Sequence, residues 1–546
     1  MLHRPRKRAA LAAAALVLAL GACADDPTGP LGPGGPRLDE DVVTEPAEGE
    51  EGVVTLAAFT GNIRIGVVPD APSVTLGAAG DWTIRNKSTG AVLMTGTGGT
   101  ATVTLQSTSV TIVRLQVMCS ANAATVAARK AAGEAAGYPT FTEFFAAGNC
   151  TRLYIGELPG SSTTTQRNNL KSQLVAQGLA AADAFYRSFV IGATLYRVAR
   201  GAASATSQAP PVLSSADGLV TIGGLPYRGV AEAVRNSLGT LAGVNEVHIE
   251  QYLYGVVPRE LPPTIWNQLE AQKAQAVAAR TYALSGLGKR ANNGYDLLAT
   301  TSDQVYGGYS AEHPLSTQAV DETAGIVATY DGNLIEALFS STAGGYTANN
   351  EDVFNSAPVP YLRGVRDHQH GSSEHVLDEI RRHPNPQSLR GKKNGDFEAD
   401  WSSRHRWTFE WTAEEISEVV GDFAQQDVGK VLEINVLERS NSGRVLRIEY
   451  VTEAGRFFDT KDHVRTSLKF FDANGVKSSL FSTLFLIEPV VDRRTGEVTG
   501  FTVFGGGWGH GVGLCQTGAA GMADKGATYE EILKHYYQGI ELTQWY

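Results

Sequence analysis

Residues 252–262 read Tyr-Leu-Tyr-Gly-Val-Val-Pro-Arg-Glu-Leu-Pro and lead into an alanine-rich stretch that carries Lys273, Arg280 and Tyr282. Ala271, Ala274, Ala276, Ala278 and Ala279 predict a helix from about Ile265 to Leu284, ended by Gly286 and Gly288. Its small side chains allow close packing. Glu260 falls between Pro258 and Pro262, just ahead of that helix. Desolvation in so apolar a stretch favours the neutral acid, whereas a helix N-terminus and Arg259 favour the carboxylate. A capping or surface carboxylate fits the same spacing.

Two more segments stand out. Thr301-Ser302-Asp303-Gln304-Val305-Tyr306-Gly307-Gly308 precedes an expected strand, Leu334–Ser340, and then Ser341-Thr342-Ala343-Gly344-Gly345-Tyr346-Thr347. Hydroxyls followed by a glycine pair at a strand end offer donors to a polar ligand, or form a capped tight turn. Further on, Gly505–Gly513 holds six glycines around Trp508 and His510, followed by Leu514-Cys515-Gln516. An aromatic face and a titratable ring on a closely approachable backbone suit a sugar cleft. A glycine-rich turn around a core tryptophan fits equally. The lysine of a phosphate loop is missing.

Outward from these segments the chain is β-rich. Alternating runs at Ile63–Val68, Ser73–Leu76, Trp82–Ile84 and Ala101–Leu105 predict packed strands across 53–110. From 111 to 200 a β-α-β-α-β order predicts a small α/β module. Through Tyr154-Ile155-Gly156, the following helix and Gly178, it resembles the SPOR module, a peptidoglycan-binding unit; an unrelated insertion has the same pattern. Residues 201–215 read as a linker, 216–546 as one further region, and 368–403 as a polar surface loop. Thr528 with Glu531 marks a capping box for a closing helix that stops at Gly539.

The composition bounds the function. Of 546 residues, 42% are hydrophobic and 19% charged, which excludes a wholly disordered chain. The net charge of −11, without a basic stripe, argues against a nucleic-acid partner. No run of about 18 apolar residues follows the N-terminal segment, so no internal membrane helix is predicted. Arg4, Arg6, Lys7 and Arg8, the apolar Ala9–Leu20 and then Gly21-Ala22-Cys23 predict an export signal over 1–22. Leu20-Gly21-Ala22-Cys23 looks like a lipobox, which makes Cys23 the lipidation site and the membrane a partner through that anchor alone. The chain would then face the cell envelope, on the outer membrane towards the periplasm where two membranes exist. A plain cleaved signal is the alternative. Residues 23–52, with seven carboxylates between Asp39 and Glu51, read as a disordered tether. In an exported protein Cys119 and Cys150 could pair, which leaves Cys515 as the odd thiol.

Taken in order, Tyr252–Glu260, Lys273–Tyr282, Asp303–Gly307, Ser341–Tyr346, Trp508–Gln516 and Tyr529–Tyr537 closely resemble the stage II sporulation protein D / amidase-enhancer LytB (SpoIID/LytB) family. The resemblance spans Ile63–Leu105 and Val220–Leu542, outside the module at 111–200 and the loop at 368–403. It implies a mixed α+β, β-rich catalytic body with the small module inserted. It also implies a lytic transglycosylase that cuts peptidoglycan strands, preferably stripped of stem peptides, and leaves anhydro-muramoyl ends. The family's catalytic acid maps onto Glu260. Asp303, Gln304, Ser341, Thr342, Trp508, His510 and Gln516 become candidates for binding substrate, and Arg280 for structural support. Some relatives bind zinc through a cysteine and a histidine in the segment matching Ser341–Thr347. Neither residue is present here, so no metal and no cofactor is expected.

Two other functions compete. A cysteine peptidase or amidase would use Cys515 as nucleophile and His510 as base. A non-catalytic glycan binder would instead stimulate a cell-wall amidase, which would then be its partner beside the glycan strands.

Overall fold

One 21-residue strand, Thr100–Ser120, organises the first compact unit, which holds Asp70–Leu213 and Glu232–Leu241. The computed structural model describes residues 61–367, 376–384, 397 and 402–546. The expected signal segment, Cys23 and the tether therefore lie outside the described residues. Within the unit, Thr100–Ser120 pairs antiparallel with Phe185–Arg200 on one side and with Cys150–Pro159 on the other. Thr140–Phe145 forms the edge beyond Cys150–Pro159. Helices Ala123–Ala135 and Thr164–Ala176 complete a β-α-β-β-α-β order. Asn122 caps the first helix, and Thr163 with Gln166 forms a capping box on the second. Both helices bury Val126 and Leu174 against Leu115, Leu153 and Ile155, residues from alternate positions of the strands.

Three expectations change here. Ala101–Leu105 and Thr111–Met118 are one strand, so the chain has no boundary at 110/111. The polar run Gln106-Ser107-Thr108-Ser109 lies between them, and every one of those residues pairs with Phe185–Arg200. Thr140–Phe145, a short edge strand after Pro139, is additional. The segment read as a linker contains strands Ala203–Ser207 and Pro211–Ser215.

Cys119 and Cys150 form a disulfide, 31 residues apart in sequence, at the paired ends of neighbouring strands. Closing a loop of that length restricts the unfolded chain by roughly 3–4 kcal/mol. Reduction should lower the unfolding free energy of this unit by that amount, read as a lower urea midpoint at unchanged slope, and a Cys119→Ser/Cys150→Ser double variant should match the reduced protein. An unchanged midpoint would remove the disulfide from the stability account.

The second unit holds the remaining described residues. Helices Ile249–Glu260, Leu269–Ser285 and Pro314–Asp321 pack together. Ala271, Ala274, Val277 and Ala278 of the middle helix are buried in one core with Leu261, Ile335, Leu514, Tyr536 and Tyr537. Phe339–Ser340 pairs in parallel with Leu514–Cys515, which draws the hydroxyl turn and the glycine-rich segment into one place. The expected strand Leu334–Ser340 is thus two short pieces, Asn333–Leu334 and Phe339–Ser340. A separate core, with Trp407, Trp411, Ile448, Tyr450 and Phe501 among its members, is enclosed by two three-stranded sheets and helix Ala413–Ala424. Within the expected surface loop, Val376–Arg382 is helical, with Val376 and Ile380 buried. No helix among the described residues is long and apolar enough to cross a membrane.

Candidate active site

The residues of the opening stretch form helix Ile249–Glu260, because Ile249, Tyr252, Leu253, Val256 and Val257 recur on one face and are fully buried. His248 caps its start by accepting from the Glu250 N–H. Pro258 removes a late donor, and the helix ends at Glu260. Glu260 is therefore the last residue of a helix, not a residue ahead of one. The negative end of the dipole faces its carboxyl, the reverse of the sequence expectation.

Glu260 is 3% exposed. Its Oε1 accepts from the Val305 N–H at 2.6 Å, and its Oε2 lies 3.4 Å from the donating Gln516 Nε2. That same amide also donates to Gln275 Oε1 at 3.3 Å. Nearby, Gln272 Nε2 donates to the carbonyls of Leu261 and Trp266 at 2.8 and 3.0 Å, fixing the turn that follows Glu260. Gln272 and Gln275 were not singled out from the sequence. The signal was present: two polar side chains on the buried face of an alanine-rich helix demand partners.

Arg280 is fully buried on the same helix. Its Nε and Nη2 donate to both Glu250 oxygens at 2.8 and 2.6 Å, and Nη1 donates to the Ile326 carbonyl at 3.0 Å. Burial alone would raise the Glu250 carboxyl, but the Arg280 guanidinium holds it below its usual range. Glu250 opens the helix that Glu260 closes, so Arg280 fixes the start of that helix.

A cavity of about 440 Å³ opens beside Glu260, with Tyr282, Asp303, Ser340, Phe354 and His510 in its wall. The Asp303 side chain is fully buried and pairs with Lys289 and Arg290 at 2.8 Å each. Burial would raise this carboxyl, yet Lys289, the Leu298 N–H and Arg290 draw it below its ordinary value. Asp303 thus reaches the cavity as a fixed carboxylate that anchors two cations. Gln304 does not reach it. Its Oε1 accepts from the Tyr252 hydroxyl at 3.1 Å and its Nε2 donates to the Ala279 carbonyl at 3.1 Å, in the interior.

Ser341 and Thr342 are also buried, outside the cavity wall. The Thr342 hydroxyl lies 3.2 Å from that of Ser402, and Thr517 donates to it at 3.3 Å. The Thr342 and Trp508 backbones exchange hydrogen bonds of 2.8 and 3.1 Å. Gly344, at φ +79°, allows this approach, since a Cβ there would stand 2.7 Å from the Gly506 carbonyl carbon. The Trp508 ring packs at a tilt on Phe481 and lies under the Arg404 guanidinium, and it is not among the cavity-wall residues that include Gly509 and His510.

His510 packs on Phe354 with ring centroids 5.6 Å apart, and its Nδ1 accepts from the Val512 N–H at 3.0 Å. Burial pushes this imidazole down to about 4, with Asp462 opposing and Arg465 adding to the shift. It is neutral at neutral pH. An unfolded histidine, with a pKa of about 6.5, takes up its proton first as pH falls. Stability from this residue is therefore complete above about pH 6.5 and is lost between there and about pH 4, by roughly 3 kcal/mol in all. Replacing His510 with Gln should flatten the stability–pH slope over that window, as read from urea midpoints. An unchanged slope would contradict the assignment.

Cys515 is 1% exposed, and its Sγ accepts from the Ala343 and Gly518 N–H groups at 3.2 and 3.3 Å. It caps helix Gln516–Asp524 from the interior, outside the cavity wall, which does not suit a nucleophile. Among the described residues no three His, Cys, Asp or Glu side chains cluster as a metal site requires.

Comparison with known proteins follows the same geometry. Residues 237–330, which carry Glu260, Arg280 and Asp303, match the stage II sporulation protein family, and residues 348–513 match a family described only as a domain of unknown function. An uncharacterized protein of Brachyspira hyodysenteriae is 33% identical over 338 residues, covering 61% of this chain and 76% of that protein. The amidase enhancer of Bacillus subtilis is 32% identical over 303 residues, or 54% of this chain and 40% of the enhancer. The stage II sporulation protein D of Bacillus subtilis is 31% identical over 318 residues, covering 55% of this chain and 76% of that protein. With one helix ending in a buried carboxyl at a cavity, and with relatives matched over three quarters of their length, the chain belongs to the stage II sporulation protein D family.

Proposed function

We propose that this protein is a lytic transglycosylase that cleaves peptidoglycan strands, with Glu260 as its one acid and base. The observation that carries the reading is the placing of the carboxyls. Of the three carboxyls in the cavity wall among the described residues, Glu260 ends a helix, buried and held by a backbone N–H and an amide; Asp303 is committed to Lys289 and Arg290, and Glu336 is exposed to solvent. Hydrolysis of a glycoside ordinarily employs two carboxyl groups, one of them to handle water. One group suffices when the nucleophile belongs to the substrate. The Glu260 acid gives its proton to the glycosidic oxygen as the bond to C1 breaks. The resulting carboxylate then takes the proton of the muramoyl primary hydroxyl as that oxygen bonds to C1. The acid is regenerated, no water is consumed, and an anhydro-muramoyl end remains.

The sequence signals at 1–23 support export and lipid anchoring at Cys23, facing the envelope. The β-α-β-β-α-β unit, with its resemblance to a SPOR module, supports targeting to glycan. A second reading, a glycan binder that stimulates a cell-wall amidase, is supported by the relative named an amidase enhancer.

Incubating residues 53–546 with intact sacculi and with amidase-stripped strands, followed by mass spectrometry of the products, separates the two readings. Anhydro-muramoyl ends are expected. Strand binding without any cleavage, together with faster release of stem peptides by an added amidase, would favour the enhancer.

A further inference from the structure

Two steps from Glu260 along its hydrogen bonds, a buried donor has no acceptor. Gln275 is fully buried, and its Nε2 has no hydrogen-bond partner among the described residues. Gln272, one turn earlier on the same helix, uses both ends of its amide. It donates to the Leu261 and Trp266 carbonyls and accepts from the Ser316 hydroxyl at 2.7 Å. A buried amide nitrogen left unpaired is costly, and protein interiors rarely keep one. The other end of Gln275 is engaged. Its Oε1 accepts from Gln516 Nε2 at 3.3 Å, and that nitrogen donates at 3.4 Å to Glu260 Oε2. Gln516 is 2% exposed, so this run of side chains passes through the interior and ends at the cavity.

The arrangement suits a carboxylate, which can only accept from the Gln516 nitrogen facing it. It does not suit the acid, whose O–H needs an acceptor. The oxygen and nitrogen ends of a glutamine amide are nearly alike in size, so each amide can turn about its last bond within the same space. When both turn, Gln516 presents Oε1 to Glu260 and accepts its O–H. The same oxygen then accepts from Gln275 Nε2, the donor that was orphaned. We infer that Gln516 and Gln275 are positioning residues that form a two-position amide relay, donating to the Glu260 carboxylate in one position and accepting from its acid in the other. The inference rests on the transglycosylase reading for the reaction it serves. There Glu260 gives its proton to the glycosidic oxygen and later takes one from the muramoyl hydroxyl. Gln516 turns from acceptor to donor at the first transfer and back at the second, and neither amide gains or loses a proton. The orphaned donor sets the resting preference. It finds its partner only when Glu260 is the acid, which is the form the first step consumes.

Among the described residues, the charged and titratable groups that share the wall with Glu260 are Tyr282, Lys289, Asp303, Glu336, Arg465 and His510, and Tyr252 interacts with it from the same helix. All are unchanged in the variants, so a shift between variants reports the amides. The test titrates Glu260 in wild type, Gln275→Met, Gln516→Met and the double variant, through the infrared band of its protonated carboxyl with Glu260→Gln as the blank. The pH dependence of kcat/KM on stripped strands is measured beside it. Gln516→Met takes a bond to a charged group from the carboxylate and only a neutral one from the acid. The midpoint should therefore rise by about one pH unit, a tenfold change in the ionisation constant. Gln275→Met removes the orphan that burdens the carboxylate arrangement, so the midpoint should fall by about one pH unit. The double variant should match Gln516→Met, because Gln275 acts only through Gln516. The alkaline limb of kcat/KM should move with each midpoint. Gln275→Leu and Gln516→Leu carry the same expectations and replace any methionine variant that fails to fold. Shifts of one sign in both single variants, a missing shift in either, or a double variant that returns to the wild-type midpoint would overturn the inference. The expected infrared shifts in a protein that leaves no anhydro-muramoyl ends would overturn the transglycosylase reading alone.

Discussion

Glu260→Gln should lower kcat on stripped glycan strands by about a thousandfold, within the range of a lost general acid, while KM, strand binding and the thermal midpoint stay near wild type. The substitution keeps the shape of the side chain. Its carbonyl oxygen can still accept the Val305 N–H that Glu260 Oε1 accepts at 2.6 Å, so the loop from Asp303 to Val305 should stay in place. An amide cannot release a proton to the glycosidic oxygen, nor take one from the attacking hydroxyl. A loss in kcat with KM unchanged is the signature of an interaction made only in the transition state. Comparable losses in binding would instead make Glu260 a positioning residue, and retained turnover would remove it from the chemistry.

The second large effect is on stability. Arg280→Met should destabilise the protein by about 3–5 kcal/mol, the usual result of leaving one partner of a buried ion pair behind. Glu250 would lose two charge-assisted bonds, and the Ile326 carbonyl would lose a donor. Glu250→Gln added to Arg280→Met should recover part of the loss, because the stranded charge is then gone. Urea unfolding of the single and double variants measures this directly. Additive losses would show that the two residues act independently and that Arg280 does not hold the start of the helix that ends in Glu260 through Glu250.

Several features of the site could be read from the sequence because they are local. Pro258 and Pro262 bracket Glu260 tightly enough to single it out, and the alanine spacing located the following helix, which begins at Leu269 instead of near Ile265. The sign of the helix dipole could not be read, because a proline near a helix boundary fits either end. Gln516 was identified as a ligand candidate, yet its partners Glu260 and Gln275 lie 256 and 241 residues away in sequence. Only the parallel pairing of Phe339–Ser340 with Leu514–Cys515 brings such distant residues together. Ser341 and Thr342 have the composition of a binding turn, but in the interior the Thr342 hydroxyl meets those of Thr517 and Ser402, and the Ser341 hydroxyl meets that of Thr342. Arg465 stands in an ordinary helical turn, so its place in the cavity wall gave no local signal.

The central claim is that the substrate's own hydroxyl, and not water, attacks C1. Cleavage of stripped strands in water enriched in oxygen-18, with mass spectrometry of the new chain ends, tests this most directly. The account predicts anhydro-muramoyl ends one water lighter than a reducing end, without oxygen-18, and absent in Glu260→Gln. Reducing ends that carry oxygen-18 would contradict it and require a second carboxyl group acting on water.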